Sequence, residues 1–187
     1  NYGAEVCMVP GVYDDAYNKA IELRDKEGYT FVHPFDNIDV IAGQGTIGLE
    51  ILNELDDVDA IVVPIGGGGL ISGIAFAAKK LKPDVKVYGV QAQGAPSMFN
   101  SIKSGKIEML EKVSTSADGI AVKQPGENTF KIVSEYVDDI VTVSEDEISS
   151  AILALIEQHK MVAEGAGAVS VAAVMHNKVP VKGKRVV

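Results

Sequence analysis

The segment AIVVPIGGGGLISGIAFAAKKL spans Ala60–Leu81 and joins two apolar runs through four consecutive glycines, Gly66–Gly69. The first run is typical of a buried strand, and Leu70–Leu81 has the apolar spacing of a helix. Glycine weakens either element, but it tolerates positive φ and allows close approach to backbone. Glycines at this junction therefore indicate a ligand held against bare backbone. Converging N–H groups and the positive end of the helix dipole favour phosphate as that ligand.

Two nucleotide motifs are tested by the residues around the glycines. A Walker A loop needs Lys and then Ser or Thr, but Gly73 is followed by Ile74 and Ala75, which excludes it. A dinucleotide pattern occurs at 43–48, GQGTIG, yet the acidic ribose partner expected about 20 residues later is missing near Ile65. We interpret 43–48 as close helix packing or a bend at a helix start, and not as a nucleotide site.

The amino-acid composition limits the number of domains and the kinds of partner that this chain can have. Its 187 residues are 47% hydrophobic, which suits one domain or one domain and part of another. The formal net charge of −9 without a basic block argues against nucleic acid or an anionic membrane as partner. Cys7 is the single cysteine, so no internal disulfide forms, and we expect it in the core of a soluble, cytoplasmic protein.

Short β-like runs alternate with helical periods along the chain. Strands are predicted at Glu5–Val9, Thr30–Val32, Asp59–Ile65, Lys86–Gln91 and Asp139–Val143, and another begins near the end of the chain. Helices are predicted at Asp14–Lys26, Asp39–Leu55, Leu70–Leu81, Pro96–Ser104, Glu127–Tyr136 and Glu145–His159. Because the strands are apolar on both faces, the pattern predicts an α/β fold with a parallel sheet and helices on both faces.

The acidic cluster Ser144–Glu147, SEDE, is explained better as the capped start of a helix than as a metal site. In a parallel sheet, ligands bind beyond the carboxyl ends of the strands, where the tetraglycine loop lies. Three other loops are candidates to reach the same edge, at residues 33–36, 117–122 and 162–168. The loop from Ser104 to Pro125 is long and polar enough to suggest a function.

Five segments of this sequence occur together in one known family. They are HPFDNIDVIAGQGTIGLEIL (33–52), VPIGGGGLISGIA (63–75), SADGIAVKQPG (116–126), DDIVTVSEDEI (138–148) and EGAGA (164–168). In this order and spacing they resemble the pyridoxal-phosphate-dependent threonine dehydratases (threonine ammonia-lyases), relatives of the serine dehydratases and serine racemase. The resemblance covers nearly the whole chain.

The resemblance implies a fold-type II enzyme with pyridoxal 5′-phosphate as cofactor. Its phosphate is expected on Gly66, Gly67, Gly68, Gly69 and the Leu70 N–H, with Ser72 as a lesser candidate. Phe35 and Gly119 are expected near the cofactor ring, and Glu164 near the far edge of that ring. The alternative for Glu164 is that its carboxylate caps the EGAGA turn. The glycines of this turn, Gly165 and Gly167, are expected to serve packing. Residues 1–34 are expected to end a small domain, and 35–187 to form an incomplete large cofactor-binding domain.

Three motifs of the family are missing from this chain. They are the S-x-K-x-R-type motif with the Schiff-base lysine, the S-x-G-N-type loop for the substrate carboxylate, and the SGGN-type turn for the pyridine nitrogen. We expect the first two upstream of Asn1 and the third downstream of Val187. No catalytic residue is therefore expected within this fragment, which should be inactive alone. Gln91 and Ser97 stand where serine racemase has an acidic, ion-binding pair, so no metal site is expected.

The activity implied for the parent enzyme is β-elimination of L-threonine or L-serine to a 2-oxo acid and ammonia. The substrate is then a small amino acid, and the resemblance implies a place in amino-acid metabolism such as isoleucine biosynthesis. A homo-oligomer is expected for the full-length enzyme. Two alternatives stay open, a non-catalytic module that binds a phosphate ligand and a serine racemase-like activity.

Overall fold

The computed structural model describes residues 3–11 and 13–187, and for Asp14 the backbone alone. The chain divides into two compact units, Asn1–His33 and Pro34–Val187. Residues 1, 2 and 12, which belong to the predicted small-domain segment 1–34, lie outside the described part. The two units are taken separately below.

The first unit is built on one helix, α1, at Tyr13–Glu27, which confirms the helix predicted at Asp14–Lys26. The Tyr17 ring lies edge-on to Phe31, with ring centroids 5.6 Å apart, and His33 packs edge-on to Phe31 at 5.9 Å. His33 therefore has an evident structural role in this aromatic cluster.

Two predicted strands of the first unit, Glu5–Val9 and Thr30–Val32, are wrong. Both segments lack strand structure, and Val6 and Met8 are exposed. A strand needs a partner for its backbone N–H and C=O groups, and the described residues of this unit provide one helix and no sheet. The expectation that Cys7 is a core residue is wrong for the same reason, since its side chain is exposed where no sheet face covers it.

The second unit contains a parallel sheet of three strands, β1 at Ala60–Pro64, β2 at Lys86–Ala92 and β3 at Asp139–Val143, in the order β1-β2-β3. The register pairs Ala60 with Lys86 and Tyr88 with Asp139. On the free side of β1, Val186 forms a parallel bridge to Ala60, in line with the strand expected to begin there. The three strand predictions between residues 59 and 143 are confirmed.

Helices cover both faces of this sheet, which confirms the predicted fold class. Along β2, alternate side chains point to opposite faces, as the strand period requires. Tyr88 and Val90 face the helices at 145–154 and 165–175, and Val87 faces the helix at 69–81. The helices are α2 at Ile38–Glu54, α3 at Gly69–Leu81, α4 at Ser97–Ser104, α5 at Glu127–Tyr136, α6 at Glu145–Ala154 and α7 at Gly165–Met175. None of the described helices has the length and apolar character needed to cross a membrane.

Two of the three glycines of the 43–48 motif, Gly45 and Gly48, serve the crossing of α2 and α3. A Cβ on Gly45 would lie 3.2 Å from the Gly73 carbonyl oxygen, and one on Gly48 would lie 3.1 Å from that of Ile74. A Cβ on Gly73 would collide with the Ile41 carbonyl oxygen. The two helix backbones are therefore in close contact, and the interpretation of 43–48 as helix packing is confirmed.

The start of α6 has the capping box that Ser144 and Glu147 predict. Ser144 Oγ accepts a hydrogen bond from the Glu147 amide at 3.2 Å, and Glu147 Oε2 accepts one from the Ser144 amide at 2.8 Å. No group of residues in the described ranges has the composition of a metal site. The acidic cluster is thus used by the helix terminus.

Two features near the end of the chain differ from the sequence expectation. Helix α6 ends at Ala154, and 155–159 continue as one turn of π-helix that stops at Lys160, whose φ is 60°. The second is helix α7, for which the sequence predicts no helix, because its Gly, Ala and Val residues show no polar face. Its Ala168, Val169 and Ala172 are fully buried, but the apolar Val174 and Met175 are exposed, so apolar side chains lie on both the covered and the uncovered side and no amphipathic period results.

Candidate functional site

The tetraglycine loop lies between the carboxyl end of β1 and the start of α3. Gly68 has φ 99° and ψ 0°, a left-handed conformation that disfavours any residue with a Cβ. It is followed directly by Gly69, the first residue of α3, and no side chain caps this helix. The positive end of α3 is therefore presented by bare backbone, as the sequence predicts.

Three carbonyl groups at this loop accept hydrogen bonds, whereas its amide groups donate none within the described residues. The carbonyl oxygens of Ile65, Gly67 and Gly68 accept hydrogen bonds from Gln91 Nε2, Thr129 Oγ1 and the Ser72 amide. By contrast, the amides from Gly66 to Leu70 donate to no acceptor among the residues that the structure describes. Unused donors at a helix start are the elements of an anion site.

The side of the loop on which side chains would project is filled by protein. A Cβ on Gly67 would overlap the Phe35 ring, and one on Gly68 would lie 2.7 Å from Met98 Cε and 2.9 Å from Thr129 Cβ. Gly67, Gly68 and Gly69 are buried. These protein neighbours are therefore one reason why glycine is needed in the loop. The sequence suggests a different reason, a ligand held against the bare backbone.

The remaining predicted site residues surround the same loop. A Cβ on Gly69 would lie 2.9 Å from Phe35 Cα, and one on Gly66 would lie 3.5 Å from the Gly119 carbonyl oxygen. In turn, Glu164 Oε1 lies 3.2 Å from a Cβ built on Gly119. The structure thus brings Phe35, Gly119 and Glu164 together at the carboxyl edge of the sheet; their contact with a cofactor stays a prediction.

Glu164 occupies the residue before α7, but its side chain makes no capping hydrogen bond. The alternative reading of Glu164 as a cap of the EGAGA turn is therefore wrong. Of the two glycines of that turn, Gly165 has a packing role, since a Cβ there would lie 2.9 Å from Ala117 Cα. Gly167 does not, because its nearest neighbour would be Ala163 Cβ at 3.8 Å.

Ser72 adds an unsatisfied hydroxyl to the first turn of α3. Its side chain is fully buried, and Oγ has no hydrogen-bond partner within the described ranges. A buried polar group without a partner is rare and calls for an explanation. Free amides, a left-handed glycine and this hydroxyl together fit the phosphate group of the expected cofactor.

Gln91 is a residue whose role sequence reasoning missed, although it was considered as a metal position. It is fully buried; Nε2 donates to the Ile65 carbonyl oxygen at 3.2 Å, and Oε1 accepts from the Phe99 amide at 2.8 Å. A carboxylate in its place would lack the donor. The sequence signal for this role is a polar amide within the apolar run of β2. Ser97, the second position considered, has a buried Oγ without a described partner.

Glu145 holds the long loop that carries Gly119. Its Oε2 accepts hydrogen bonds from the Ser116 amide at 2.9 Å and from Ser116 Oγ at 2.6 Å. Burial by itself raises the pKa of the Glu145 carboxyl, but hydrogen bonds from Ser116 and Thr115 outweigh it and hold the pKa below its usual value. The start of α6 therefore anchors the 104–125 segment two residues before the short 3₁₀ turn Asp118–Ile120.

A cavity of about 420 Å³ lies elsewhere, at the amino ends of β1 and β2. Its charged lining includes Lys82, Lys86 and Lys184. Lys86 is paired with Asp138, and Lys82 donates to the Asp56 carbonyl oxygen. None of the predicted site residues lines it, and the unpaired donors of the tetraglycine loop make that loop the stronger candidate.

Comparisons with known proteins agree with the resemblance seen in the sequence. A family profile described as "Pyridoxal-phosphate dependent enzyme" matches residues 1–187. L-threonine ammonia-lyase from Thermotoga maritima is 56% identical over 186 residues, which are 100% of this chain and 46% of that protein. The chain thus spans about half the length of this curated relative.

Solved structures give the same result. A processed threonine deaminase isoform 2 from Solanum lycopersicum has a TM-score of 0.91 and 39% identity, over 98% of this chain and 51% of that one. Maize serine racemase has a TM-score of 0.91 and 30% identity, over 99% of this chain and 57% of that one. With the match of the family profile to every residue, this chain belongs to the pyridoxal-phosphate-dependent enzyme family.

Proposed function

We propose that the full-length protein catalyses the pyridoxal-phosphate-dependent β-elimination of L-threonine or L-serine to a 2-oxo acid and ammonia. The observation that carries the proposal is the row of unused amides from Gly66 to Leu70 at the start of α3. The relative named L-threonine ammonia-lyase, 56% identical over this whole chain, supports the choice of reaction.

Each part of the loop has a role in this proposal. The amides of Gly66, Gly67, Gly68, Gly69 and Leu70 bind the cofactor phosphate, and the helix dipole of α3 adds favourable charge. Ser72 Oγ, buried and without a described partner, supplies a further hydrogen bond to it.

Other residues of the same edge shape the cofactor pocket. Phe35 and Gly119 lie beside the loop and line the ring position, while Glu164 is close to Gly119 at its far edge. When bound, pyridoxal phosphate supplies an electron sink for the negative charge left at the substrate Cα. The residues of this chain bind and orient; the lysine that carries the cofactor is proposed to lie upstream of Asn1.

Residues 1–34 are proposed to belong to a small domain and 35–187 to the large cofactor-binding domain. The division of the structure between His33 and Pro34 supports this boundary. The full-length protein is further proposed to be a cytoplasmic homo-oligomer. Exposed apolar side chains such as Phe76 and Leu81 support an association of subunits. Light scattering of the purified full-length protein measures its oligomeric state and so tests the proposed association.

The test of function compares the full-length protein with the 187-residue chain. Each is mixed with pyridoxal phosphate and L-threonine or L-serine, and 2-oxo acid is followed. We expect turnover by the full-length protein and none by the 187-residue chain. Sustained turnover by the shorter chain would show that one of its own lysines is catalytic. Binding of the cofactor without turnover by the full-length protein would favour a non-catalytic module.

Serine racemase activity is the second candidate, favoured by the structural match to maize serine racemase. The same incubations, analysed for D-serine on a chiral column, separate the two reactions. Formation of D-serine faster than 2-oxo acid would assign the protein as a racemase. We expect elimination to dominate.

A further inference from the structure

Thr129 connects helix α5 with the tetraglycine loop. Its side chain is fully buried, and Oγ1 lies 2.7 Å from the Gly67 carbonyl oxygen and 3.2 Å from that of Gly126. A hydroxyl has a single proton to donate, and the shorter distance identifies Gly67 as the main acceptor. Thr129 therefore holds the carbonyl group in the middle of the loop.

Holding this carbonyl also orients an amide of the proposed phosphate site. The Gly67 C=O and the Gly68 N–H belong to one planar, trans peptide unit, so they point in opposite directions. A hydrogen bond that fixes the carbonyl toward α5 directs the amide away from α5. Gln91 acts in the same way on the Ile65 carbonyl, which shares its peptide unit with the Gly66 amide.

The first turn of α5, which carries Thr129, is itself fixed from a distant part of the chain. The residue before the helix, Gly126, has no side chain to cap it. The Asp36 carboxylate takes this role and accepts hydrogen bonds from the amides of Glu127, Asn128 and Thr129 at 2.9 to 3.0 Å. Such charge-assisted bonds at the positive end of a helix are strong.

The space around Asp36 explains Gly126. Its φ of −75° and ψ of 160° are open to any residue, so glycine is not needed for conformation. A Cβ there would instead collide with the Asp36 carboxyl group. The neighbouring residue, Phe35, lies against Gly67 and Gly69. Two consecutive residues thus contact both the glycine loop and the helix that holds it.

We propose that Asp36 and Thr129 are positioning residues of the phosphate site. Asp36 fixes the first turn of α5, and Thr129 transmits this to the Gly67 carbonyl, so that the Gly66–Leu70 amides keep the arrangement that binds a phosphate monoester. The ligand in this inference rests on the proposed function. The hydrogen-bonded chain from Asp36 to Gly67 does not depend on it.

The test uses the full-length protein, from which the cofactor is removed, and titration with pyridoxal phosphate followed by absorbance. Thr129→Val keeps the shape and removes the donor, and we expect it to raise the Kd about tenfold. Thr129→Ser keeps the hydroxyl and should bind within about twofold of the unchanged protein. Asp36→Asn keeps the shape but loses the charge, and should raise the Kd by about three- to tenfold.

The control for general destabilisation is Asp138→Asn. Asp138 lies beside the amino end of β3, whereas the loop lies at the carboxyl ends of the strands. It forms ion pairs with Lys79 and Lys86. This variant should melt at a lower temperature and bind the cofactor normally. Equal weakening by Asp138→Asn and Thr129→Val, or normal binding by Thr129→Val, would overturn the proposal.

Hydrogen exchange of the cofactor-free protein separates this inference from the proposed function. In Thr129→Val and Asp36→Asn, the peptide that contains 66–70 should exchange faster than in Thr129→Ser. If the unchanged protein fails to bind pyridoxal phosphate, the proposed function and the ligand of this inference are wrong. Unchanged exchange in Thr129→Val would show that Thr129 does not position the loop.

Discussion

Asp138 is a partly buried carboxylate that joins α3 to the amino ends of the strands. It accepts hydrogen bonds from Lys79, Lys86 and the Val87 amide, at 2.7 to 2.8 Å. Burial by itself raises the pKa of the Asp138 carboxyl, but these three partners outweigh it and keep the pKa below its usual value. The ionised group therefore stabilises the folded state at pH values above the carboxyl pKa of the unfolded chain.

We predict that Asp138→Asn lowers the free energy of unfolding by about 1 kcal/mol at pH 7, because it leaves the partly buried Lys79 ammonium group and the Val87 amide poorly paired, while solvent screens the exposed Lys86. The stabilising contribution of Asp138 is lost as the pH falls from about 4 through the lowered folded-state pKa. The difference in free energy of unfolding between Asp138→Asn and the unchanged protein should therefore be smaller in acid. Urea unfolding at pH 7 and pH 3 measures both effects. Asp84→Asn changes an exposed carboxylate and should have little effect on the free energy of unfolding at either pH. If Asp138→Asn lost as much unfolding free energy at pH 3 as at pH 7, the prediction would be contradicted.

At the scale of helices, the crossing of α2 and α3 depends on bare backbone. Gly73→Ala should reduce stability by about 1–3 kcal/mol, because its Cβ would meet the Ile41 carbonyl group and force the helices apart. Gly43→Ala is the matched control on the exposed side of α2, where a Cβ has no neighbour within 4 Å. This change should raise stability by about 0.5–1 kcal/mol through helix propensity. Denaturant midpoints that fall equally for both variants would refute the packing argument.

The capping box of α6 gives a prediction for a helix terminus. Ser144→Ala should lower stability by about 1 kcal/mol, since the Glu147 amide loses its acceptor. Thermal unfolding measures this loss, with Ser149→Ala as control, because Ser149 is exposed within the same helix. A melting temperature of Ser144→Ala no lower than that of the control would show that the box contributes nothing.

At the scale of the whole molecule, phosphate recognition predicts a difference between two ligands. Pyridoxal phosphate at 100 times its Kd should stabilise the full-length protein by about 2.7 kcal/mol. Pyridoxal, which lacks the phosphate, should shift the melting temperature far less at the same concentration. Differential scanning fluorimetry compares the two. Equal shifts would show that the tetraglycine loop does not supply the main binding energy.

Local patterns were sufficient for much of this fold. The buried strand at Ala60, the glycines and the helix to Leu81 were predictable together, as were the α5 boundaries and the Ser144 cap. Such features depend on residues within a few positions of one another, where periodicity, capping and glycine conformation act directly. The family, the cofactor and the location of the candidate site followed from the same segments.

Tertiary structure decided the contacts that hold the site together. Asp36 reaches α5 across 91 residues, and Thr129 reaches Gly67 across 62; neither pairing has a local pattern. The missing strands at 5–9 and 30–32 also depend on tertiary structure, because a strand needs partner strands from elsewhere in the chain. Helix α7 has no local pattern either, because its exposed side is as apolar as its buried side. Sequence thus determined which elements form from local interactions and which loop carries the free amides. Packing between distant segments determined what holds that loop, since those hydrogen bonds exist only once the chain has folded.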